Sequence, residues 1–338
     1  MSPEVGERVG AILEVKGLKT HIPMKDGTVV KAVDGVSLSV SYGETFGIVG
    51  ESGSGKSMTL RSILRLVPPP GKTIEGTIKY KGTDLLRAPM SDMRKYRGKE
   101  IAMIFQDPMT SLNPVIKIKE QIFECLEGKD LTKKEKSERA IELLRLVGMA
   151  APERRIEEYA HQFSGGMRQR AMIAIALAAE PKILLADEPT TAVDVTVQDQ
   201  ILKKIAELKD RLGMSMILVT HDLGIVAQTC DRVAVMYAGR TVEITDTMTL
   251  FSAPRHPYTL GLMDSLPHGG ERGARLRPIT GNPPNLANLP PGCPFAPRCQ
   301  FAEAKCLETY PEMVQVGPGH ISSCHFIERL QGQKGIAG

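Results

Sequence analysis

The stretch ETFGIVGESGSGKSMTLRSIL, residues 44–64, decides the fold of this chain of 338 residues. It begins with an apolar run at residues 46–49, which is typical of a buried parallel strand. The pattern G-x-x-x-x-G-K-S follows at residues 50–57, and a helical run begins at Met58. Glycines between a strand and a helix let successive backbone N–H groups point at phosphate oxygens. The stretch therefore predicts a phosphate-binding loop, or P-loop, in an α/β fold.

The side chains of the loop indicate which phosphate compound binds there. Lys56 is placed to neutralise the β- and γ-phosphates of a nucleotide, and the Ser57 hydroxyl is placed to bind Mg²⁺. The helix N-terminus adds a partial positive charge. A chance match by a glycine-rich turn is the alternative, but the strand before the loop and the helix after it favour the nucleotide site. The predicted ATP-binding residues of the loop are Gly50, Ser52, Gly53, Ser54, Gly55, Lys56, Ser57 and Met58.

The segment PKILLADEPTT, residues 181–191, predicts the second half of this site. Residues 183–186 form another apolar run, and two acidic residues, Asp187 and Glu188, follow it. A carboxylate at the carboxyl end of a strand beside a P-loop binds Mg²⁺ and its water shell, and the next carboxylate orients the attacking water. We therefore predict that Asp187 binds the metal and that Glu188 is catalytic.

A third segment identifies the kind of P-loop protein. HQFSGGMRQRAMIAIALAAEP, residues 161–181, contains Ser164 as a natural helix N-cap, followed by two glycines that allow close contact with an anion. At this point the chain resembles the ATP-binding cassette (ABC) family, whose signature is a serine and two glycines that open a helix. Three more segments match this family in the expected order over roughly residues 13–251, namely IFQDP with Gln106, TTAVD with Asp194 and ILVTHD with His221.

The resemblance implies an α/β fold with a RecA-like core, an antiparallel β subdomain and a helical subdomain. It also implies that two such domains face each other head to tail. Each ATP would lie between the P-loop of one domain and the signature residues Ser164, Gly165 and Gly166 of the other. The remaining roles that the resemblance implies are water positioning by Glu188, γ-phosphate contact by His221, metal and water sensing by Gln106, and coupling of the two sites by Asp194.

The insert at about residues 107–163 predicts the helical subdomain. Its segment TKKEKSERAIELLRLVGM opens with a capping-box pattern, Thr132 to Glu135, and then carries apolar residues on one helical face. The insert is too short for the long coiled coils of the chromosome-maintenance and DNA-repair members of the family. It resembles the subdomain of transporter ATPases whose groove receives a coupling helix from a membrane subunit.

The chain changes character after Phe251. A stretch rich in Pro, Gly and Asn at residues 278–294 predicts irregular connecting structure. The segments QDPMTSLNP and HPYT and the terminal cysteines together resemble the ATPase subunits of oligopeptide and dipeptide importers, with nickel importers as close kin. We therefore divide the chain into an ABC nucleotide-binding domain, residues 1–255, and a small, irregular, cysteine-containing extension, residues 256–338.

Four of the six cysteines lie in this extension, at Cys293, Cys299, Cys306 and Cys324. A disulfide framework would not suit a cytoplasmic protein, and no C-x₂-C pair typical of zinc fingers is present. Four thiolates suit either a tetrahedral zinc site or an iron–sulfur cluster, and the spacing does not decide between them. The resemblance favours a 4Fe–4S cluster over Zn²⁺, with free thiols as the third interpretation.

Composition excludes several other classes. The net charge is only +4 and aromatic residues make up 4% of the chain, so we expect no nucleic-acid partner. The longest apolar stretch, residues 171–179, is too short to span a bilayer and predicts a buried helix. The first residues show no secretory signal. We therefore expect a peripheral protein at the cytoplasmic face of the inner membrane.

The leading hypothesis for the function is an energy-coupling ATPase of a di- or oligopeptide importer. ATP hydrolysis with Mg²⁺ would drive two membrane permease subunits, which an extracytoplasmic solute-binding protein would load. The resemblance favours a related but different ATPase subunit as the dimer partner and allows a second copy of this chain. The alternatives are the same role in a nickel or other small-solute importer, or a soluble ABC ATPase in translation or DNA repair. Such translation members carry two cassettes, whereas this chain has one P-loop.

Overall fold

The computed structural model describes residues 10–190, 195–265 and 278–330, and for residues 195–197 it describes the backbone alone. The predicted site residue Asp194 lies outside these ranges. The strands are β1 (Ala11–Pro23), β2 (Val29–Ser41), β3 (Thr45–Val49), β4 (Lys72–Tyr80), β5 (Thr83–Asp84), β6 (Ile101–Ile104), β7 (Ile183–Asp187), β8 (Ser215–Thr220), β9 (Arg232–Tyr237), β10 (Arg240–Asp246), β11 (Val314–Gly317) and β12 (His320–Ser322). The helices are α1 (Lys56–Ile63), α2 (Met93–Tyr96), α3 (Pro108–Ser111), α4 (Ile118–Cys125), α5 (Lys133–Leu146), α6 (Pro152–Arg155), α7 (Gly165–Ala178), α8 (Val195–Leu212), α9 (Leu223–Thr229), α10 (Thr247–Ser252), α11 (Pro257–Asp264) and α12 (Ala304–Glu308).

The described residues form two compact units. Unit 1 contains residues 41–43 and 88–218, with the helical insert and the signature helix. Unit 2 contains residues 11–40 and 44–87 and the chain from Val219 onward, with the P-loop and the C-terminal extension.

Unit 2 contains an antiparallel sheet with the strand order β2-β1-β4-β5. Strand β1 pairs with β4 so that Leu13 lies opposite Tyr80 and Val15 opposite Ile78, and all four of these side chains are buried. The apolar residues recur at every second position because successive side chains of a strand point to opposite faces. This sheet is the predicted antiparallel β subdomain.

A second set of strands in unit 2 has the order β11-β12-β10-β9-β3. Strand β3 is buried throughout and runs parallel to β9, with Val49 opposite Val235. Strands β11 and β12 form a hairpin of the extension, and Ile321 of this hairpin pairs with Ile244 of β10. Irregular structure is present where it was predicted, at residues 278–294, but the hairpin after it was not predicted. Its strands are only four and three residues long, which is too short for a clear alternating pattern.

Unit 1 has the strand order β8-β7-β6, and β6 runs parallel to β7. Helices α4, α5 and α7 pack against one another. Helix α7 is buried on most sides, as its apolar sequence predicted, and α5 begins with the predicted capping box between Thr132 and Glu135. No helix in the described parts of the chain is long and apolar enough to cross a membrane.

Candidate active site

The P-loop of unit 2 curls so tightly that two of its positions have no room for a side chain. A Cβ atom on Gly50 would lie 2.2 Å from the carbonyl oxygen of Met236. A Cβ atom on Gly55 would lie 2.3 Å from the carbonyl oxygen of Ala32, and Gly55 has a φ of 100° that favours glycine. The loop backbone therefore packs directly against neighbouring backbone, which is the form that a phosphate cradle requires.

The loop also places charged and polar groups where the sequence predicts phosphate binding. Lys56 is buried, and its Nζ donates to the carbonyl oxygens of Gly50 at 2.7 Å and Glu51 at 2.9 Å. Helix α1 begins at Lys56, and the Thr59 N–H donates to the Gly55 carbonyl at 2.9 Å, so the loop leads directly into a helix N-terminus, the positive end of a helix. The Ser54 hydroxyl is buried and has no hydrogen-bond partner among the residues that the structure describes. Such an orphaned group is expected where a polar ligand completes the site.

In unit 1, the parallel register brings two predicted catalytic residues together. Strands β6 and β7 pair up to Ile104 and Ala186, so the residues that follow these strands leave the same edge of the sheet. Gln106 Nε2 donates to Glu188 Oε2 at 3.2 Å. Asp187 ends β7 and is fully buried. Glu188 has a φ of 45°, a left-handed conformation that is uncommon for a residue with a side chain and often occurs at functional positions.

The signature residues of unit 1 form an exposed helix N-terminus. Ser164 is the N-cap of α7, and its Oγ accepts a hydrogen bond from the Met167 N–H at 3.4 Å. Ser164 and Gly165 are exposed, and a Cβ atom on Gly165 would have no other atom within 4 Å. The first turn carries no acidic side chain. An anion therefore has steric access to a positive helix end.

His221 follows strand β8 and is exposed. The neighbouring residue Asp222 is the N-cap of α9 and accepts a hydrogen bond from the Gly224 N–H at 2.7 Å. The Asp222 N–H in turn donates to Thr220 Oγ1 at 3.0 Å. These bonds fix the backbone beside His221. The residue lies directly after strand β8, as the sequence predicted. Its contact with the γ-phosphate stays a prediction.

The four cysteines of the extension line one small cavity, together with aromatic residues that include Phe295 and Phe326. The two segments that carry Cys293 and Cys306 approach closely, since the Cys293 N–H donates to the Cys306 carbonyl at 2.7 Å. A Cβ atom on Gly292 would lie 2.2 Å from this same carbonyl oxygen, so the approach requires glycine. All six cysteines of the chain are free thiols. Cys125 and Cys230 lie outside this cavity.

Burial changes the acidity of these thiols. It raises the pKa of Cys293 and of Cys324 to about 11, with a further contribution from neighbouring cysteines, and it raises the pKa of Cys299 in the same direction. Within the described ranges, no group of three or more His, Cys, Asp or Glu side chains is placed to hold a single metal ion. The cavity therefore brings the predicted ligands together without forming a compact site for one ion.

The sequence did not predict the contacts that join the extension to the P-loop. Arg298 donates to both carboxylate oxygens of Glu51, from Nη1 at 2.7 Å and from Nη2 at 2.9 Å. The Tyr258 hydroxyl accepts a hydrogen bond from the Glu51 N–H at 2.8 Å. Arg298 and Glu51 are 247 residues apart in the chain. No local sequence pattern predicts a pair so distant in the chain. The HPYT segment, which contains Tyr258, indicated only the resemblance to the peptide importers.

Two protein families match the chain. Residues 33–191 match the ABC transporter family. Residues 242–306 match the family described as the oligopeptide/dipeptide transporter, C-terminal region. The second match begins in the predicted nucleotide-binding domain and continues into the extension, where it includes three of the four cysteines.

Curated relatives match over nearly the whole chain. The probable peptide ABC transporter ATP-binding protein y4tR of Sinorhizobium fredii is 49% identical over 96% of this chain and 97% of its own length. The dipeptide transport ATP-binding protein DppD of Bacillus subtilis is 49% identical over 93% of this chain and 94% of its own length. The oligopeptide transport ATP-binding protein OppD of Escherichia coli is 45% identical over 95% of both chains.

Solved structures confirm the predicted fold. A dimeric bacterial ABC transporter cassette superposes with a TM-score of 0.63 at 28% identity, covering 70% of this chain and 98% of that one. The cassette cbiO1 of Clostridium perfringens, part of the transporter complex cbiONQ, gives a TM-score of 0.59 at 29% identity and covers 71% of this chain and 90% of its own. The chain is an ABC-type ATPase, and it belongs to the ABC transporter ATP-binding proteins that carry the oligopeptide/dipeptide transporter C-terminal region.

Proposed function

We propose that this ATPase couples ATP hydrolysis to the import of dipeptides or oligopeptides. The match of residues 242–306 to the oligopeptide/dipeptide transporter C-terminal region carries the proposal, because a generic ABC cassette lacks this extension. The names of the relatives, which include dipeptide and oligopeptide transport proteins at 45–49% identity, support the same solute class. The nickel importer stays an alternative, since the membrane subunits and the binding protein choose the solute.

In this proposal, the P-loop of unit 2 binds the phosphates of ATP. The backbone N–H groups at the start of α1 and the Lys56 ammonium contact the phosphate oxygens, and the buried Ser54 hydroxyl gains a hydrogen-bond partner. Ser57 and Asp187 are the residues that would hold Mg²⁺. Held there, Mg²⁺ would supply positive charge that offsets the negative charge of the phosphates.

Glu188 and Gln106 prepare the attacking water. The Glu188 carboxylate accepts a hydrogen bond from the attacking water and thereby orients this water toward the γ-phosphorus. Gln106 donates to Glu188 and thereby holds this carboxylate in one position. His221 contacts the γ-phosphate and the charge that develops on it. Asp194 couples the two sites of the dimer.

The second ATPase chain completes each site. The exposed N-terminus of α7, with Ser164, Gly165 and Gly166, binds the γ-phosphate of the ATP held by the partner. A related but different ATPase subunit is the proposed partner. At the cytoplasmic face of the inner membrane, conformational changes of the ATPase dimer drive two membrane permease subunits. An extracytoplasmic solute-binding protein delivers the peptide to these subunits.

Peptide uptake by cells tests this function. We expect a strain that carries Glu188→Gln to lose uptake of labelled di- and oligopeptides as completely as a strain without the chain. Glu75→Gln is the matched control, because Glu75 is an exposed carboxylate that pairs with Lys19 at 2.7 Å and has no proposed catalytic role. Its uptake should equal that of the wild type.

Uptake of nickel in the same strains separates the two solute classes. Loss of peptide uptake with normal nickel uptake supports the proposal. Normal peptide uptake in the Glu188→Gln strain, in cells without a second peptide importer, would contradict it. Loss of nickel uptake alone would move the chain to the nickel importers.

The cysteines of the extension are proposed to bind a 4Fe–4S cluster rather than zinc. Zinc needs four ligands about 2.3 Å from one centre, whereas the thiolates of a cluster bind different irons and stand further apart. The four thiols line one cavity, and the resemblance of the extension to that of the peptide importers favours the cluster. The ligands would be Cys293, Cys299, Cys306 and Cys324. A bound cluster would cross-link the loops of a segment that is poor in regular secondary structure.

Metal analysis of the chain purified without oxygen tests the cluster. We expect about four irons and about four sulfides per chain, and we expect Cys306→Ser to lose both. Cys125→Ser is the control, because Cys125 belongs to α4 and lies outside the cavity. About one zinc per chain without iron, or no metal at all, would contradict this part of the proposal.

A further inference from the structure

The first variable residue of the P-loop, Glu51, is held through its backbone and its side chain. Its N–H donates to the Tyr258 hydroxyl, and its carbonyl accepts hydrogen bonds from Lys56 Nζ at 2.9 Å and from the Ser54 N–H at 3.2 Å. Its carboxylate accepts both bonds of the Arg298 fork. Two of these partners, Arg298 and Tyr258, come from the C-terminal part of the chain. Glu51 therefore joins the phosphate loop to the extension within unit 2.

Arg298 is built into the extension as a rigid anchor. Its side chain is only 4% exposed, whereas that of Glu51 is 26% exposed. Besides the Glu51 carboxylate, the guanidinium contacts the Tyr237 hydroxyl at 3.2 Å and the carbonyls of Thr280 at 3.0 Å and Ile279 at 3.4 Å. A planar guanidinium with most of its donors bonded has little freedom to move.

The turn that carries Arg298 also forms part of the cysteine cavity. It spans Ala296–Arg298, opens with a bond from the Ala296 N–H to the Cys293 carbonyl, and leads directly into Cys299. Phe295, at the start of this turn, packs its ring against Tyr258 and Tyr237, with centroids 5.4 and 5.3 Å apart. One short segment, residues 293–299, therefore both lines the cysteine cavity and carries the arginine that binds Glu51.

We propose that Arg298 is a positioning residue for the nucleotide loop, which sets the ATP affinity of this chain by holding Glu51. The loop must present its N–H groups and the Lys56 ammonium together, and the Glu51 carbonyl is one of the acceptors that hold this ammonium. A free Glu51 lets the loop sample conformations that do not bind ATP, which lowers the apparent affinity by the fraction of competent loops. The Glu51 side chain supplies none of the groups proposed to act on the attacking water or the γ-phosphate, so the rate at saturating ATP should change little.

A simple structural role for Arg298 makes a different prediction. If Arg298 only stabilised the extension, its loss would lower the melting temperature, and its effect on ATP would not depend on Glu51. If Arg298 acts through Glu51, removing both side-chain charges should weaken ATP binding no more than removing one. The two roles therefore separate in a double-mutant cycle.

The experiment measures KM for ATP, kcat, equilibrium ATP binding and melting temperature for the full chain. We expect Arg298→Gln to raise KM and weaken binding about tenfold, with kcat within about twofold of the wild type. Glu51→Gln, whose partly exposed side chain keeps its shape, should give the same result. The double variant should resemble either single variant. Arg298→Lys keeps the charge without the two-point fork and should recover part of the affinity.

Arg329→Gln is the matched control. Arg329 belongs to the same extension and pairs with Glu303 at 2.5 Å, but its side chain is 49% exposed and does not contact the P-loop. Its ATP affinity should equal that of the wild type. Unchanged ATP affinity in Glu51→Gln, or additive losses in the double variant, would overturn the proposal. A KM for the Arg329→Gln control that rises as much as that for Arg298→Gln would do the same.

Discussion

At the scale of single residues, Gly50 and Gly27 show two different reasons why a position in this chain requires glycine. At Gly50 the space is filled, because a Cβ atom would meet the Met236 carbonyl oxygen. At Gly27, in the turn between β1 and β2, the φ of 85° disfavours other residues, but no atom lies within 4 Å of a built Cβ. Only the first restriction also defines the shape of a binding loop.

Gly50→Ala should therefore damage the site, whereas Gly27→Ala should damage only stability. We expect Gly50→Ala to weaken ATP binding by more than tenfold, because the loop must move away from β9 to remove the overlap. We expect Gly27→Ala to lower the free energy of unfolding by about 1–2 kcal/mol through its left-handed backbone, with normal ATP binding. Equilibrium ATP binding and urea unfolding of both variants check this. Equal ATP affinities would show that the loop tolerates the overlap.

Asp34 gives a prediction on pH. Burial alone would raise the pKa of this carboxyl. The hydrogen bonds and charge of Arg240, which lies 2.6 Å away, together with a hydrogen bond from His21 and the charge of Lys31, outweigh burial and lower the pKa. A lowered pKa in the folded state means that the unfolded state binds protons first as the pH falls. The stabilisation is therefore complete above the ordinary Asp pKa of about 3.9, and it is lost as the pH falls through the folded value.

Asp34→Asn should consequently be less stable than the wild type at pH 7 and should lose less stability on acidification to pH 3. Urea unfolding at the two pH values measures both differences. Asp210→Asn is the control, because its carboxylate is 74% exposed and its ion pair with Lys209 lies at the surface. An Asp34→Asn variant with the same loss between pH 7 and pH 3 as the wild type would refute the assignment.

At the scale of secondary-structure elements, one buried carboxylate joins strand β10 to helix α11 and strand β12. Glu243 is fully buried and accepts hydrogen bonds from the Arg255 N–H at 2.6 Å, Thr259 Oγ1 at 2.6 Å and His320 Nε2 at 2.7 Å. A buried carboxylate is tolerated only when donors surround it. The hairpin of the extension is therefore bound by its backbone pairing and by this charged centre.

His320→Leu should weaken the attachment of the hairpin, because it removes one of the three hydrogen-bond donors to the buried Glu243 carboxylate. We expect the free energy of unfolding to fall by about 2–3 kcal/mol and the extension to become more sensitive to protease. His161→Leu is the control, since His161 is exposed and bonds a carbonyl of unit 1. If limited proteolysis of His320→Leu matched the wild type, the carboxylate centre would not hold the hairpin.

The sequence predicted those elements whose signals are local. The P-loop, the acidic strand end, the capping box at Thr132 and the buried helix α7 each depend on residues that are neighbours in the chain. The meeting of Gln106 with Glu188 could also be predicted, because both follow strands of a parallel sheet. The hairpin, the donors around Glu243 and the pair of Arg298 with Glu51 could not. Each depends on contacts between distant segments, for which a single sequence contains no periodic signal.

At the scale of the whole molecule, the proposed function has the phosphate-binding features of one chain serve two different nucleotides. The P-loop supplies the site for one ATP, and the proposed role of the signature helix is to complete the site of the partner chain. Loss of ATP binding and loss of hydrolysis should therefore arise from different parts of the molecule. Variants of the signature residues test this division directly.

Ser164→Ala should bind ATP with wild-type affinity and hydrolyse it at least about tenfold more slowly, because it weakens the helix end that is proposed to face the γ-phosphate of the partner's ATP. Equilibrium binding to the chain alone, and ATPase rates of the assembled transporter, give the two quantities. Ser252→Ala is the control, since Ser252 is an exposed helical serine whose hydroxyl bonds the carbonyls of its own turn. Weaker ATP binding by the isolated Ser164→Ala chain would contradict a role in trans.

The pairing of β12 with β10 has a consequence for the solubility of shortened forms of this protein. A chain cut before residue 304 would leave β10 with a row of unpaired N–H and C=O groups beside the buried residues Val242 and Ile244. An apolar open edge of this kind recruits strands from other chains and leads to aggregation. The C-terminal hairpin thus shields the ATPase unit from self-association, and attempts to produce a minimal cassette by trimming the extension should yield insoluble protein.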